Sequence, residues 1–259
     1  MIGKTNITVN SGGGDADLTA MIDGSLTSIT NGASYIRSSA FYNYQGLTTA
    51  SFPNCTNIGV AAFSRCSSLT TISFPNCTNI ETNAFASCLS LTEASFPSCT
   101  NISSGAFLSC ASLSTAIFPL CTFVGHMAFA YCKRLKTVSF PLLETISGGL
   151  VFGQSSNPGY SLIEMSLPAC TLISGNHIWA RNAFFRKLYL LGSSVAALDG
   201  YGQFDSTPIS GYSGYSGPYG SIFVRASLLT AWKTATNWAI YSERFVGLTD
   251  AEIEALDNQ

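Results

Sequence analysis

The chain has 259 residues, of which 10% are charged, less than half the share of about a quarter found in ordinary soluble domains. Twelve Lys and Arg against fourteen Asp and Glu leave a net charge of −2, so the composition carries no electrostatic footprint for nucleic acid or an anionic membrane. A mean hydropathy of +0.27 with 23 Gly points to many small turns around a filled core, and no apolar run reaches the roughly 18 residues that would span a bilayer.

In chain order, the stretch from Met1 to Asn10 lacks the basic and apolar regions of an export signal, so no secretory leader is expected. Gly12 to Gly14 reads as a linker. Leu18, Met21 and Ile22 follow Asp15 and Asp17 as a short amphipathic stretch, which makes residues 1–24 an N-terminal extension and cap. From residue 25 the chain repeats itself. The run from Leu69 to Ser90, LTTISFPNCTNIETNAFASCLS, recurs with starts at Leu47, Leu91, Leu113 and Leu135, each 22 residues after the last. The pattern decays outward in both directions. Leu26, Ile29, Ile36, Ala40 and Phe41 precede it one residue short, and Leu162 to Cys170 resumes it after an insertion of five. About eight coils are expected, most of them within residues 25–198, because one such unit cannot bury its apolar face alone and several stacked together can.

Within a unit, Ile72 and Phe74 alternate with Thr71 and Ser73, which predicts a short strand with the first pair inward. Pro75 closes that strand and Asn76 begins a turn. Thr78 to Ile80 predicts a second, shorter strand, and Ala84, Phe85 and Cys88 have the spacing of one helical turn facing the core. Stacking places equivalent residues in columns. Phe52, Phe74, Phe96, Phe118 and Phe140 form one column, and Phe41, Phe63, Phe85, Phe107 and Phe129 another. Eight cysteines from Cys55 to Cys132 recur every eleven residues, half a repeat, and Cys170 continues one of the two rows. That spacing suits neither zinc, whose paired ligands stand about two to four residues apart, nor bridging between parallel Cβ vectors. Buried free thiols are expected, with no metal and no cofactor.

Residues 199–220 interrupt the pattern with a Tyr/Gly/Ser-rich insert. The final section, 221–259, supplies a last strand and a helical cap. Ser227 is placed to cap a helix carrying Leu228, Leu229 and Trp232, and Thr249 to Glu252 form a capping box before Ile253 and Leu256.

The repeated Leu-Thr-x-Ile-x-Phe-Pro with Ala-Phe-x-x-Cys resembles the BspA-like, or treponemal-type, leucine-rich repeat of bacterial surface proteins, over roughly residues 25 to 225. The segment Ile222 to Trp238 is similar to the closing segment of such proteins from gut bacteria and their prophages. The resemblance implies a β-rich solenoid, an arc with its parallel strand ladder on the concave face, short helical turns on the other side and a cap at each end. It also implies a non-enzymatic, adhesive role facing the outside, on a virion or a cell surface. The missing export signal shifts that expectation toward a phage or prophage tail component.

Catalysis finds little support. His126 and His177 have no repeat-phased nucleophile beside them, and Glu93 and Glu164 lie three coils apart, roughly 14 Å by stacking and beyond a glycosidase pair. Binding has two candidate surfaces. The outward row of the strand ladder is mostly Thr and Ser in the middle coils and richer toward the C-terminus, with Glu164, Lys187, Tyr189 and Phe223. Aromatic anchors gather where the repeat breaks: Trp179 with Arg181, and Tyr201, Tyr212, Tyr215 and Tyr219 in or beside the insert. The expected partner is a protein or glycan on a host or neighbouring cell surface, without nucleic acid or membrane insertion. The alternative is an architectural spacer that binds nothing on its ladder face. The insert is read as an internal cap whose tyrosines lie on the last coils, with a binding loop as the other reading.

Overall fold

The computed structural model describes residues 5–9, 26–153, 162–210 and 219–257. The repeats wind into a parallel-strand solenoid of about nine turns with little helix. The first ladder contains β1 (Thr5–Val9), β2 (Leu26–Asn31), β4 (Thr49–Ser51), β6 (Thr71–Ser73), β8 (Glu93–Ser95), β10 (Thr115–Ile117), β12 (Thr137–Ser139), β14 (Glu164–Ser166), β16 (Lys187–Leu190), β18 (Ser221–Arg225) and β19 (Phe245–Leu248). The second contains β3 (Tyr35–Ile36), β5 (Asn57–Ile58), β7 (Asn79–Ile80), β9 (Asn101–Ile102), β11 (Phe123–Val124), β13 (Thr145–Ser147), β15 (Leu172–Ser174) and β17 (Ala197–Asp199). Pairing is parallel throughout and joins equivalent positions, so Ala50 lies beside Ile72 and Ala94 beside Ala116. β1 comes from the stretch expected to be an extension, and it pairs with β2.

The second ladder runs unbroken from β3 to β17, while the first divides into β1-β2-β4-β6, β8-β10-β12 and β14-β16-β18-β19. The latter break falls at the coil whose sequence carries the insertion before Leu162.

The third side of each coil replaces the expected helical turn with tandem turns. Two residues per coil have positive φ, four positions apart: Ala61 and Arg65, Asn83 and Ser87, Met127 and Tyr131. A left-handed non-glycine residue costs about 1–2 kcal/mol, and the stack offsets it. The strained residues donate their N–H groups to the next coil, Ala61 to Thr82 O at 2.9 Å and Arg65 to Ala86 O at 2.7 Å. A helix would turn those donors inward along its own axis and leave this side of the stack without cross-coil bonds.

Both phenylalanine columns are present and buried. From Phe41 to Phe129 successive rings stack 4.9–5.3 Å apart, and from Phe52 to Phe140 they stack 5.4–5.8 Å apart. Edge contacts join the two columns, as between Phe63 and Phe74 at 5.8 Å. All nine cysteines are buried and free. One row donates its S–H to the preceding coil, Cys88 to Phe63 O at 3.2 Å and Cys110 to Phe85 O at 3.1 Å. The other row donates two residues ahead, Cys77 to Asn79 O at 3.3 Å.

At the C-terminal end Trp232, Trp238 and Phe245 close the core as an aromatic cluster. The Trp238 indole N–H donates to Ala196 O at 2.8 Å and Asn237 Nδ2 to Leu198 O at 2.7 Å, which satisfies the open edge of β17. Ser227 does not cap a helix. It lies inside a 3-10 turn, Ala226–Leu228, that leads into α1 (Leu229–Thr234), and neither end start carries a side-chain cap. The capping box is formed as expected: Thr249 Oγ1 accepts from Glu252 N at 3.3 Å, and Thr249 N donates to Glu252 Oε2 at 2.8 Å, ahead of α2 (Asp250–Asp257).

Candidate functional site: the C-terminal ladder face

In the middle coils the first ladder presents little that could anchor a partner. The hydroxyls that lead into its strands are used by the stack itself: Thr48 Oγ1 donates to Thr27 O at 2.7 Å, Thr70 Oγ1 to Thr48 O at 3.0 Å and Ser114 Oγ to Thr92 O at 3.0 Å. The next residues in that column are Lys136, Ile163 and Arg186, which cannot continue such a row. The chemistry of the face changes there.

Parallel register then assembles the sequence-predicted residues. Glu164 lies beside Lys187, and Ser166, Tyr189 and Phe223 follow one another across β14, β16 and β18. Because their neighbours Met165, Leu188 and Ile222 point into the core, alternation turns all of these outward. Lys187 Nζ is 3.2 Å from Glu164 Oε2, and that hydrogen bond, first among several causes, raises the Lys187 pKa above its ordinary value. Tyr189 and Phe223 stack at 4.7 Å with their planes 16° apart, both half-buried, and exposed Val246 continues the row. Beside them, at the break between β12 and β14, lies a groove of about 260 Å³ lined by Lys136, Thr137, Val138, Glu164, Met165, Ser166 and Tyr189. Sequence reasoning missed Lys136. The available signal was the loss of Thr or Ser from its column.

The remaining predicted residues are elsewhere. Trp179 is not a surface anchor: it is fully buried, it occupies the column of Phe129 and Phe152, and its ring stacks on Phe204 at 5.2 Å and Phe185 at 5.9 Å. An aromatic in register with a core column is driven inward whatever insertion flanks it. Arg181 is exposed on the tandem-turn side, where its N–H donates to Asp205 O at 2.7 Å. Tyr201 is 67% exposed there and meets His177 edge-on at 5.2 Å, with His177 Nδ1 3.1 Å from Asp205 Oδ2. Tyr219 lies under the Arg244 guanidinium at 3.9 Å, beyond a second hollow of about 390 Å³ between Asp205, Ile209, Ile240, Tyr241, Glu243 and Arg244. Tyr212 and Tyr215 lie outside the described residues. The ten residues therefore divide: four share the ladder face, one is core, three stand on other sides, and two lie outside the described residues.

The thiols offer no nucleophile, since burial pushes Cys66 and Cys110 up to about 12 and Cys55 to about 11. Among the described residues no three His, Cys, Asp or Glu side chains are grouped to hold a metal ion.

Residues 25–157 match the model for the BspA type leucine rich repeat region in six copies, half of the chain. The chain belongs to the BspA-type leucine-rich-repeat family. Solved leucine-rich-repeat proteins similar to it include one from Treponema pallidum, 23% identical over 49% of this chain and 75% of that one, with a TM-score of 0.36. A leucine rich cell surface protein from Faecalibacterium prausnitzii is 19% identical over 76% of this chain and 61% of that one, TM-score 0.41. A third, from Bacteroides ovatus, is 16% identical over 77% and 59%, TM-score 0.38. This BspA-type chain thus spans about three-fifths of the length of the latter two. A comparison with curated protein sequences gave no match. No described helix is long and apolar enough to cross a membrane.

Proposed function

We propose that this BspA-type solenoid is a non-enzymatic attachment module that recognises a host or neighbouring cell surface, displayed on a virion or a bacterial surface, through the C-terminal part of its first ladder. Membership of the repeat family supports a binding or scaffold module. The observation that carries the rest is local. On the outward row, an ion pair, an aromatic pair and a groove converge only across β14, β16 and β18 among the described residues. Anchors of this kind, aromatic and charged groups beside a pocket, carry most binding energy in interfaces.

The test is binding of the purified chain to whole cells and to a glycan array, alongside a Tyr189→Ala/Phe223→Ala variant. Loss of binding at an unchanged melting temperature supports the reading. Equal binding by the variant overturns it. If the parent chain binds nothing in either assay, the architectural alternative stands, and the plain hydroxyl face of the middle coils favours that outcome.

A further inference from the structure

The first ladder carries an uneven charge that the net value of −2 conceals. Lys133, Arg134 and Lys136 lie in and just after the turn that leads into β12, and Arg186 and Lys187 lie at the start of β16, so five of the chain's twelve cations lie on two coils that contribute to this groove, and Lys136 lines it. Lys133, Arg134 and Lys136 are exposed, and none has an ion pair among the described residues. The acid on this face of the three coils is Glu164, and it is already engaged by Lys187. Glu144, the other acid nearby, leads into β13 on the second ladder. Residues 154–161, inserted between the two cationic coils, contain no Asp or Glu.

The same columns in earlier coils are neutral. Lys133, Arg134 and Lys136 stand where Ser67, Ser68 and Thr70 stand three repeats before, and where Leu89, Ser90 and Thr92 stand two repeats before, in a fold that needs none of these charges. Between the two cationic coils the wall is made of Thr137, Glu164, Ser166 and Tyr189. The groove volume of 260 Å³ is below the roughly 300–1,000 Å³ of clefts that enclose a drug-sized ligand, which suits one ring of a longer chain.

We infer that the groove between β12 and β14, with its basic rim, binds an anionic polysaccharide, a sugar chain bearing carboxylate or sulfate groups. This deepens the attachment reading above and rests on it. Carboxylates or sulfates meet the Lys133/Arg134/Lys136 rim and Arg186, while ring hydroxyls donate to Glu164 and exchange hydrogen bonds with Thr137 and Ser166. A phosphate chain threaded through the groove would meet the Glu164 carboxylate without sugar hydroxyls at the same spacing to satisfy it. An acidic peptide lacks the hydroxyls that the wall asks for.

The experiment is affinity electrophoresis and calorimetry of the full chain with heparin and with polygalacturonate, with dextran, poly-glutamate and duplex DNA as comparators. Both acidic polysaccharides should retard the chain and dextran should not, and 0.5 M salt should abolish the effect because exposed charges are screened beyond about 3–8 Å. Lys133→Ser/Arg134→Ser/Lys136→Thr, which restores residues the repeat already uses, should weaken association at least about tenfold at an unchanged melting temperature. Lys136→Glu provides a second, single-site variant with the same expected direction. Undiminished binding by the variants, or tighter binding of poly-glutamate or DNA than of either polysaccharide, would overturn the inference. The two readings fail separately. If whole-cell binding is lost in the Tyr189/Phe223 variant but unaffected by the triple variant or by excess heparin, the ladder face binds and the anionic ligand is wrong. If neither variant changes any binding, the ladder face itself is wrong.

Discussion

The two thiol rows make stability fall steeply in alkali, and the size of the effect follows from their burial. Burial disfavours the thiolate, so the folded pKa values lie above the unfolded value of about 8.5, at about 11 for Cys55 and about 12 for Cys77, Cys121 and Cys170. Cys88 is raised by burial first and then by its neighbours Cys110 and Cys66 in the row. A group whose folded pKa is raised stabilises the fold fully below its unfolded pKa, and that contribution is lost as pH rises toward the folded value. Above about pH 8.5 the unfolded chain releases thiol protons that the folded chain keeps, each worth about 1.4 kcal/mol per pH unit. Nine such groups cost about 8 kcal/mol by pH 9 and about 13 kcal/mol by pH 9.5. Domains are stable by about 5–15 kcal/mol, so the solenoid should unfold below about pH 10 while losing no more than about 0.5 kcal/mol from pH 6 to 7.5. Urea titrations followed by circular dichroism under a reductant, at half-unit steps from pH 7 to 9.5, measure this directly. Cys88→Ala and Cys110→Ala, each removing one titrating thiol, should each lessen the loss between pH 7 and 9.5 by about a ninth. A total loss under about 3 kcal/mol would refute the reasoning, because the thiols would then ionise almost as easily in the fold as outside it.

Three further outcomes check the stack. Phe85, stacked on Phe63 at 5.2 Å and on Phe107 at 5.3 Å, should cost about 3–5 kcal/mol as Phe85→Ala, against no more than about 0.5 kcal/mol for exposed Thr71→Ala; with a urea slope near 3 kcal/mol/M, the midpoint falls by about 1–1.7 M in the first case. Trp179→Phe should cost less than about 1.5 kcal/mol, since the column is otherwise Phe and the Trp179 indole N–H has no hydrogen-bond partner, whereas Trp179→Ala should cost about 3–5 kcal/mol; equal losses in thermal melts would remove Trp179 from the core. At pH 7.5 a thiol reagent should label the nine cysteines only after denaturation, and rapid native labelling of several would place a row at the surface.

The periodicity made the stacking legible. An exact repeat places like residues in columns, and columns of Phe, Ala and Cys have nowhere to go but inward, so the two ring columns, the thiol rows and the parallel register were all readable before any coordinate. Position within the repeat also made Glu164, Lys187, Tyr189 and Phe223 outward neighbours, because alternation along a strand is a local property. The tandem turns were not readable. Ala84, Phe85 and Cys88 at helical spacing satisfy a helix and a left-handed turn pair equally, and only cross-coil hydrogen bonds from strained residues such as Asn83 and Ser87 decide between them. Trp179 was misplaced for a related reason: its flanking insertion suggested a surface, but the ring stack of Phe152 and Phe204 reaches across the irregular coils and claims it. The groove at Lys136 depends on a ladder that opens on one side while the second ladder stays closed, a difference between two faces of the same coil. Residue order along one strand determines what each coil buries; the distance between neighbouring coils is set by every contact around the ring, and that belongs to the tertiary structure alone.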